Sequence, residues 1–130
     1  MKKRVVLLLA GFLVGASFLR AQDVPVGVIV AFKKGNPQEL DRFMGDKVDV
    51  TIQNRPAPVD RQCAMAEMAG FFSSNKVNGF DINHQGQRDE SGFFVGTLKT
   101  ANGDFRVNCF FRKAQNRYYI HQIRIDKTNE

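Results

Sequence analysis

The dipeptide Asn102-Gly103, set between two runs of alternating apolar residues, is the feature that most restricts what this chain can become. Asn and Gly tolerate the left-handed backbone of a tight hairpin, so the pair predicts a two-residue turn between antiparallel strands. Such a loop fixes the register. Ala101 then faces Asp104, and further out Leu98 stands opposite Val107, Gly96 opposite Cys109 and Phe94 opposite Phe111. These pairs share one face, while Lys99 with Arg106 and Thr97 with Asn108 share the other. The turn and the apolar pattern agree, and one face of this hairpin belongs to a core. The second face also carries Val95 opposite Phe110, with Phe93 nearby. An outward apolar patch of this kind marks an interface, which makes Phe93, Val95 and Phe110 the candidate contacts of a homodimer through the open sheet face.

Upstream of the hairpin the pattern changes to helices. In "DVPVGVIVAFKKGN", Val24, Val28 and Phe32 recur at four-residue spacing, Lys33 and Lys34 suit a helix C-terminus, and Gly35 suits the residue after it. A second helix follows, with Asn36 as N-cap, Pro37 in the first position, Glu39 closing a capping box, and Leu40, Phe43 and Met44 forming an apolar stripe that ends at Gly45. "KVDVTI" alternates as a half-buried strand, and the prolines of "NRPAP" make that segment a linker. Asp60 caps a third helix, "RQCAMAEMAGFFSSN", whose stripe holds Ala64, Met65, Met68, Phe71 and Phe72 and leaves Cys63 on a small-residue side with Ala66 and Gly70.

From Gly79 onward the chain reads as strands. In the last, "RYYIHQIRID", Tyr118 and Ile120 share one parity and Ile123 and Ile125 the other. Either a bulge near His121-Gln122 restores the phase, or the strand is buried on both faces.

The first residues predict an exported protein. Lys2, Lys3 and Arg4 precede an apolar run over residues 5–18 and then Ala21, the layout of a signal peptide over residues 1–21, and the run is too short to span a bilayer. Residues 22–130 then form a single domain, periplasmic or secreted, with no membrane attachment after cleavage. Of the 19 basic residues, Lys2, Lys3, Arg4 and Arg20 leave with the leader, so fifteen remain against 13 acids, a net charge of +2. That small surplus is spread over several elements and argues against nucleic acid as a partner. Export permits a Cys63–Cys109 disulfide, but Cys63 points off the stripe that meets the sheet, which favours two free thiols.

The order of helix, short capped helix, strand, linker, helix and four-strand meander resembles the nuclear-transport-factor-two-like (SnoaL-like, cystatin-like) superfamily. More closely, "AFKKGNPQEL", "HQGQRDESGFFVGTL", "NGDFRV" and "YYIHQIRI" are similar to a family of small exported bacterial proteins known only as a domain of unknown function. The resemblance covers about residues 23–126. It implies an α+β fold in which N-terminal helices pack on a curved, mostly antiparallel sheet shaped as a cone, with dimerisation through the open sheet face. It brings no catalytic residues.

Enzymes of the wider superfamily that resemble ketosteroid isomerase place a carboxylate inside such a cone. Asp49, Asp81 and Asp104 point away or lie at a turn, and Glu67 is the one acid that the pattern aims inward. His84 shares parity with Phe80 and Ile82 and is expected to face the cone too. The candidate pocket lining is therefore Glu67, Phe71, Phe80, His84, Phe94, Phe111, Tyr119 and His121. His84 and His121 lie three strands apart, about 14 Å at the ladder spacing, too far for one metal or a dyad. No spacing reads as a zinc site, and no cofactor is implied. These features favour a non-catalytic binding module for a small apolar ligand or a protein partner. Two readings stand beside it, an isomerase or dehydratase with Glu67 or His84 as proton carrier, and a structural homodimer.

Overall fold

The computed structural model describes residues 25–128; the signal-peptide reading of residues 1–21 lies outside them. The elements are α1 (Val26–Lys34), α2 (Pro37–Asp41), β1 (Met44–Ile52), β2 (Arg55–Pro56), α3 (Arg61–Ser74), β3 (Val77–Arg88), β4 (Ser91–Thr100), β5 (Gly103–Ala114) and β6 (Arg117–Lys127). They form one curved sheet in the order β2-β1-β6-β5-β4-β3, antiparallel except where β1 runs parallel to β6. No helix among the described residues is long and apolar enough to cross a membrane.

The helices start and stop where local chemistry requires. Gly35 ends α1 in the left-handed conformation, at φ 64°, and its N–H reaches back to the α1 carbonyls. The Asn36 side chain caps α2 by accepting from the Gln38 amide, and Asp60 caps α3 in the same way through Gln62. Two expectations change here. Glu39 does not close a capping box onto Asn36 but pairs with Arg42, at 3.6 Å. α2 also ends at Asp41, because Met44 already enters β1 beside Ile120 of β6. The "NRPAP" segment is more than a linker, since Arg55 and Pro56 add a two-residue edge strand against Thr51 and Ile52. Proline is admissible there because an edge strand leaves one side unbonded.

The hairpin forms, but its turn sits one residue earlier than expected, which shifts the cross-strand register by two. Thr100 pairs with Gly103, which makes Ala101-Asn102 the loop and sets Leu98 against Phe105, Gly96 against Val107 and Phe94 against Cys109. Gly103 has φ 109°, whereas Asn102 is absent from the residues of positive φ, so a turn that needs both in the left-handed region is excluded. Asn102 is used differently. Its backbone N–H donates to Thr100 Oγ1 at 3.0 Å, and its side chain donates to Ser74 O and Asn75 Oδ1, both at 2.8 Å, tying the turn to the end of α3. A shift of two preserves parity, so every residue assigned to the core face still lies there.

Phenylalanine rings fill the space between helices and sheet. Phe32 of α1 meets Phe80, Phe72 and Phe94 at centroid distances of 5.3, 5.9 and 6.0 Å, and Phe94 continues to Phe111 at 5.7 Å. Phe71 closes the other side against Phe105 at 5.0 Å. Gly96 is the floor of this packing. A Cβ there would lie 2.5 Å from Phe80 Cζ and 2.8 Å from the Asp81 carbonyl oxygen.

Both cysteines are free thiols. Cys109 is fully buried and its thiol is pushed well above the ordinary value by desolvation alone. Cys63 lies half-buried on α3, 3.6 Å from Asp60 Oδ2, and is raised by desolvation and by the neighbouring Asp60 and Glu67 carboxylates.

Two outcomes follow from this packing. Gly96→Ala should lower stability by about 1–3 kcal/mol in chemical denaturation, since neither the ring nor the backbone can give way freely. An unchanged midpoint would contradict the packing. A thiol-reactive disulfide reagent should modify Cys63 slowly in the folded chain, faster as pH rises and fills its thiolate, and reach Cys109 only after unfolding. Two thiols titrating at once in the native state would contradict the burial of Cys109.

Candidate functional site

The sheet has an inner face against the helices and an outer face without them, and two bulges decide what the outer face carries. In β3 the register against β4 shifts between Ile82 and His84: Ile82 stands opposite Gly96, but His84 stands opposite Val95. The extra residue turns His84 outward, against the expectation from its parity with Phe80. Asn83 also reaches the outer face, where its Nδ2 donates to Thr97 Oγ1 at 2.9 Å. In β6 the shift falls where the isoleucine pattern predicts it. Phe110 pairs with Gln122 and Phe111 with Ile120, leaving His121 as the inserted residue and Ile120, Ile123 and Ile125 all buried.

These bulges bring both histidines to one open hollow of about 570 Å³ on the outer face. His84 lines it from β3 and His121 from β6, with Phe93 and Phe110 between them. The Phe93 ring lies 5.5 Å from His84 and 6.3 Å from Phe110, centroid to centroid. It rests on Gly86, where a Cβ would come within 2.7 Å of Phe93 Cε1. Glycine therefore lets the ring lie flat over β3. Phe110 is 37% exposed, an uncommon state for a phenylalanine. Arg88, Ser91, Arg112 and Gln122 complete the wall.

Of the other predicted site residues, Phe80 and Phe94 are buried core rings in contact with each other; Phe111 is buried against Phe94 and also lines the hollow, and Phe71 is buried against Phe105 and borders a groove beside α3. Glu67, expected to point inward, is exposed on α3, where it lines a groove of about 530 Å³ between that helix and the β1–β2 edge. Tyr119 pairs with Arg112 on the outer face and lies under the Arg117 guanidinium, 5.4 Å from its ring centroid. Val95, expected opposite Phe110, stands opposite Asn108, and Phe110 faces Phe93 instead. The aromatic patch is thus built from Phe93, Phe110 and His84, with Val95 beside it.

Chemically the hollow offers ring faces, imidazoles and guanidiniums. Glu67 does not reach it, so no carboxylate and histidine are brought together in the way a proton-transfer pair needs. Cys109 faces the core while His121 lines the outer hollow, which keeps the two on opposite sides of the sheet. Among the described residues, no three His, Cys, Asp or Glu side chains group so as to hold a metal ion. Gly86 and Arg112 were not singled out by the sequence; the β3 bulge brings Gly86 to this face, and the regular β4–β5 pairing brings Arg112 there through Ser91.

Comparison with known proteins agrees with the fold and leaves the site's role open. Residues 26–126 match the family described as Domain of unknown function (DUF4783). A crystal structure of a DUF4783 family protein from Bacteroides ovatus superposes with a TM-score of 0.81 at 61% identity, covering 85% of this chain and 100% of the other. Another, from Bacteroides fragilis, gives 0.78 at 66%, covering 82% and 100%. A more distant structure, a nuclear-transport-factor-two-like protein of unknown function from Silicibacter pomeroyi, gives 0.61 at 10% identity, over 79% of this chain and 88% of that one, and is similar in fold alone. No curated protein matches the chain.

Proposed function

This chain belongs to the DUF4783 family, with a nuclear-transport-factor-two-like fold, and on that premise we propose that it is a non-catalytic binding module whose binding surface is the outer face of the sheet. The ligand is a small molecule with an apolar, ring-sized body. The observation that carries this reading is the exchange of roles between the two faces. Packed phenylalanines occupy the interior where a cone pocket would lie, while Phe93 and Phe110 are left at the surface in a hollow of about 570 Å³. That volume falls within the range of small-molecule sites, and an aromatic floor with a few polar groups at its rim is their usual composition.

Stability supplies no reason for an exposed ring at Phe110. The buried core is assembled without it, and the ring it meets, Phe93, stands on the outer face. A leader-like segment at residues 1–21 supports a place for this module outside the cytoplasm, where small apolar molecules reach it without crossing the inner membrane.

The neutral fluorophore N-phenyl-1-naphthylamine tests the reading. The full chain should bind it saturably, and Phe110→Ala should weaken binding about ten-fold, equivalent to about 1.4 kcal/mol, with thermal unfolding little changed. Absence of saturable binding, or equal affinity in the variant, would remove the outer hollow as the binding surface.

A further inference from the structure

On the reading of the outer hollow as a small-molecule site, we infer that the polar end of its ligand is an anion gripped by Arg88 and Arg112. The ligand class is then a ring-bearing carboxylate or phosphate monoester in solution. Strand register brings the two arginines together: Arg88 of β3 pairs with Ser91 of β4, and Ser91 pairs with Arg112 of β5. At the ladder spacing their Cα atoms stand about 10 Å apart, with only a serine between them, so two long side chains span the gap from either side.

Both arginines line the aromatic hollow, and both also line a smaller one of about 360 Å³ that adjoins it past Ser91. They therefore form the lip shared by the two. Neither has an ion-pair partner among the described residues, although Asp89 and Glu90 lie in the same turn. The four ion pairs among the described residues take Arg42, Arg61, Lys99 and Arg124. Arg117, stacked on Tyr119 next to Arg112, adds a third positive charge at this end.

Two like charges held side by side without a counter-ion repel, and an anion placed over Ser91 removes the repulsion while accepting charge-assisted hydrogen bonds from both. Planar guanidiniums match the paired oxygens of carboxylate and phosphate. The ring of such a ligand then extends over Phe93 and Phe110, toward the imidazoles of His84 and His121 at the far side.

Calorimetric titration of the full chain with 2-naphthyl phosphate, 2-naphthol and inorganic phosphate separates the parts. The expected order places naphthyl phosphate at least about ten-fold tighter than naphthol and tighter still than phosphate alone, with the advantage shrinking as salt is raised. In Arg88→Gln/Arg112→Gln the phosphate and the alcohol should bind alike; both arginines are exposed and unpaired, so the fold is expected to persist, which thermal unfolding checks. Naphthyl phosphate no tighter than naphthol, or an advantage that survives in the double variant, overturns the anion grip while leaving N-phenyl-1-naphthylamine binding to stand or fall by itself. Association with phosphatidylglycerol vesicles that soluble naphthyl phosphate does not compete overturns the soluble ligand in favour of a lipid surface.

Discussion

The contact on which the rest of the structure depends is the ring of Phe32 against Phe72, Phe80 and Phe94, because it joins one short helix to the third helix and to two strands at once. A helix as short as α1 is marginal in water by itself and persists only by burying its apolar side. Phe32, Val28 and Ala31 do this completely. Burial of one phenylalanine contributes about 1.5–3 kcal/mol, and each well-placed ring contact adds about 0.5–1.5 kcal/mol. The same rings fill the space between α1, α3 and the sheet, and on the proposed reading recognition falls to the outer face instead.

Curvature supplies the second constraint. A sheet that wraps helices on one side must bend, and bulges are the means of bending an antiparallel ladder. Each bulge sets an extra residue on the solvent side, in β3 near His84 and in β6 at His121. Both histidines thus reach the outer hollow through an event that serves the fold. The two strands between them, β4 and β5, stay in regular register and present Phe93 against Phe110. Mechanical need and site geometry coincide, which explains how a strongly packed small domain can carry a shaped outer face.

The class of fold, the three helix caps at Gly35, Asn36 and Asp60, and the core face of the meander were legible from local chemistry. The turn at Asn102-Gly103 was misplaced because the dipeptide suits more than one turn geometry, and Thr100 together with the α3 terminus selects the one with Ala101-Asn102 central. Tight turns with both residues at positive φ do occur, at Gln53-Asn54 and Gln115-Asn116, where glutamine gives no such signal. The two bulges were unequally visible for a related reason. In β6 isoleucines on both sides of His121 mark the change of phase. In β3 no large apolar residue follows Ile82, so nothing in the pattern records that His84 has changed face.

The outer face repays a comparison between what folding requires and what is present. A solvent-facing strand position is filled most economically by a polar or β-branched residue. Phe110 instead leaves more than a third of a large apolar residue in water, and Gly86 gives up side-chain packing so that the Phe93 ring can lie over it. Next to them Arg88 and Arg112 stand without ion-pair partners among the described residues, although the carboxylates of Asp89 and Glu90 follow Arg88 directly in the chain and line the same small hollow. Each departure taken alone is minor. Together they occupy adjacent rows of one sheet face, around one hollow, while the inner face of the same strands follows the packing rules closely. Departures from local economy that cluster in space, in a domain otherwise consistent at every level, are where selection for something other than stability is expected to be written. The aromatic floor and the arginine lip meet that description.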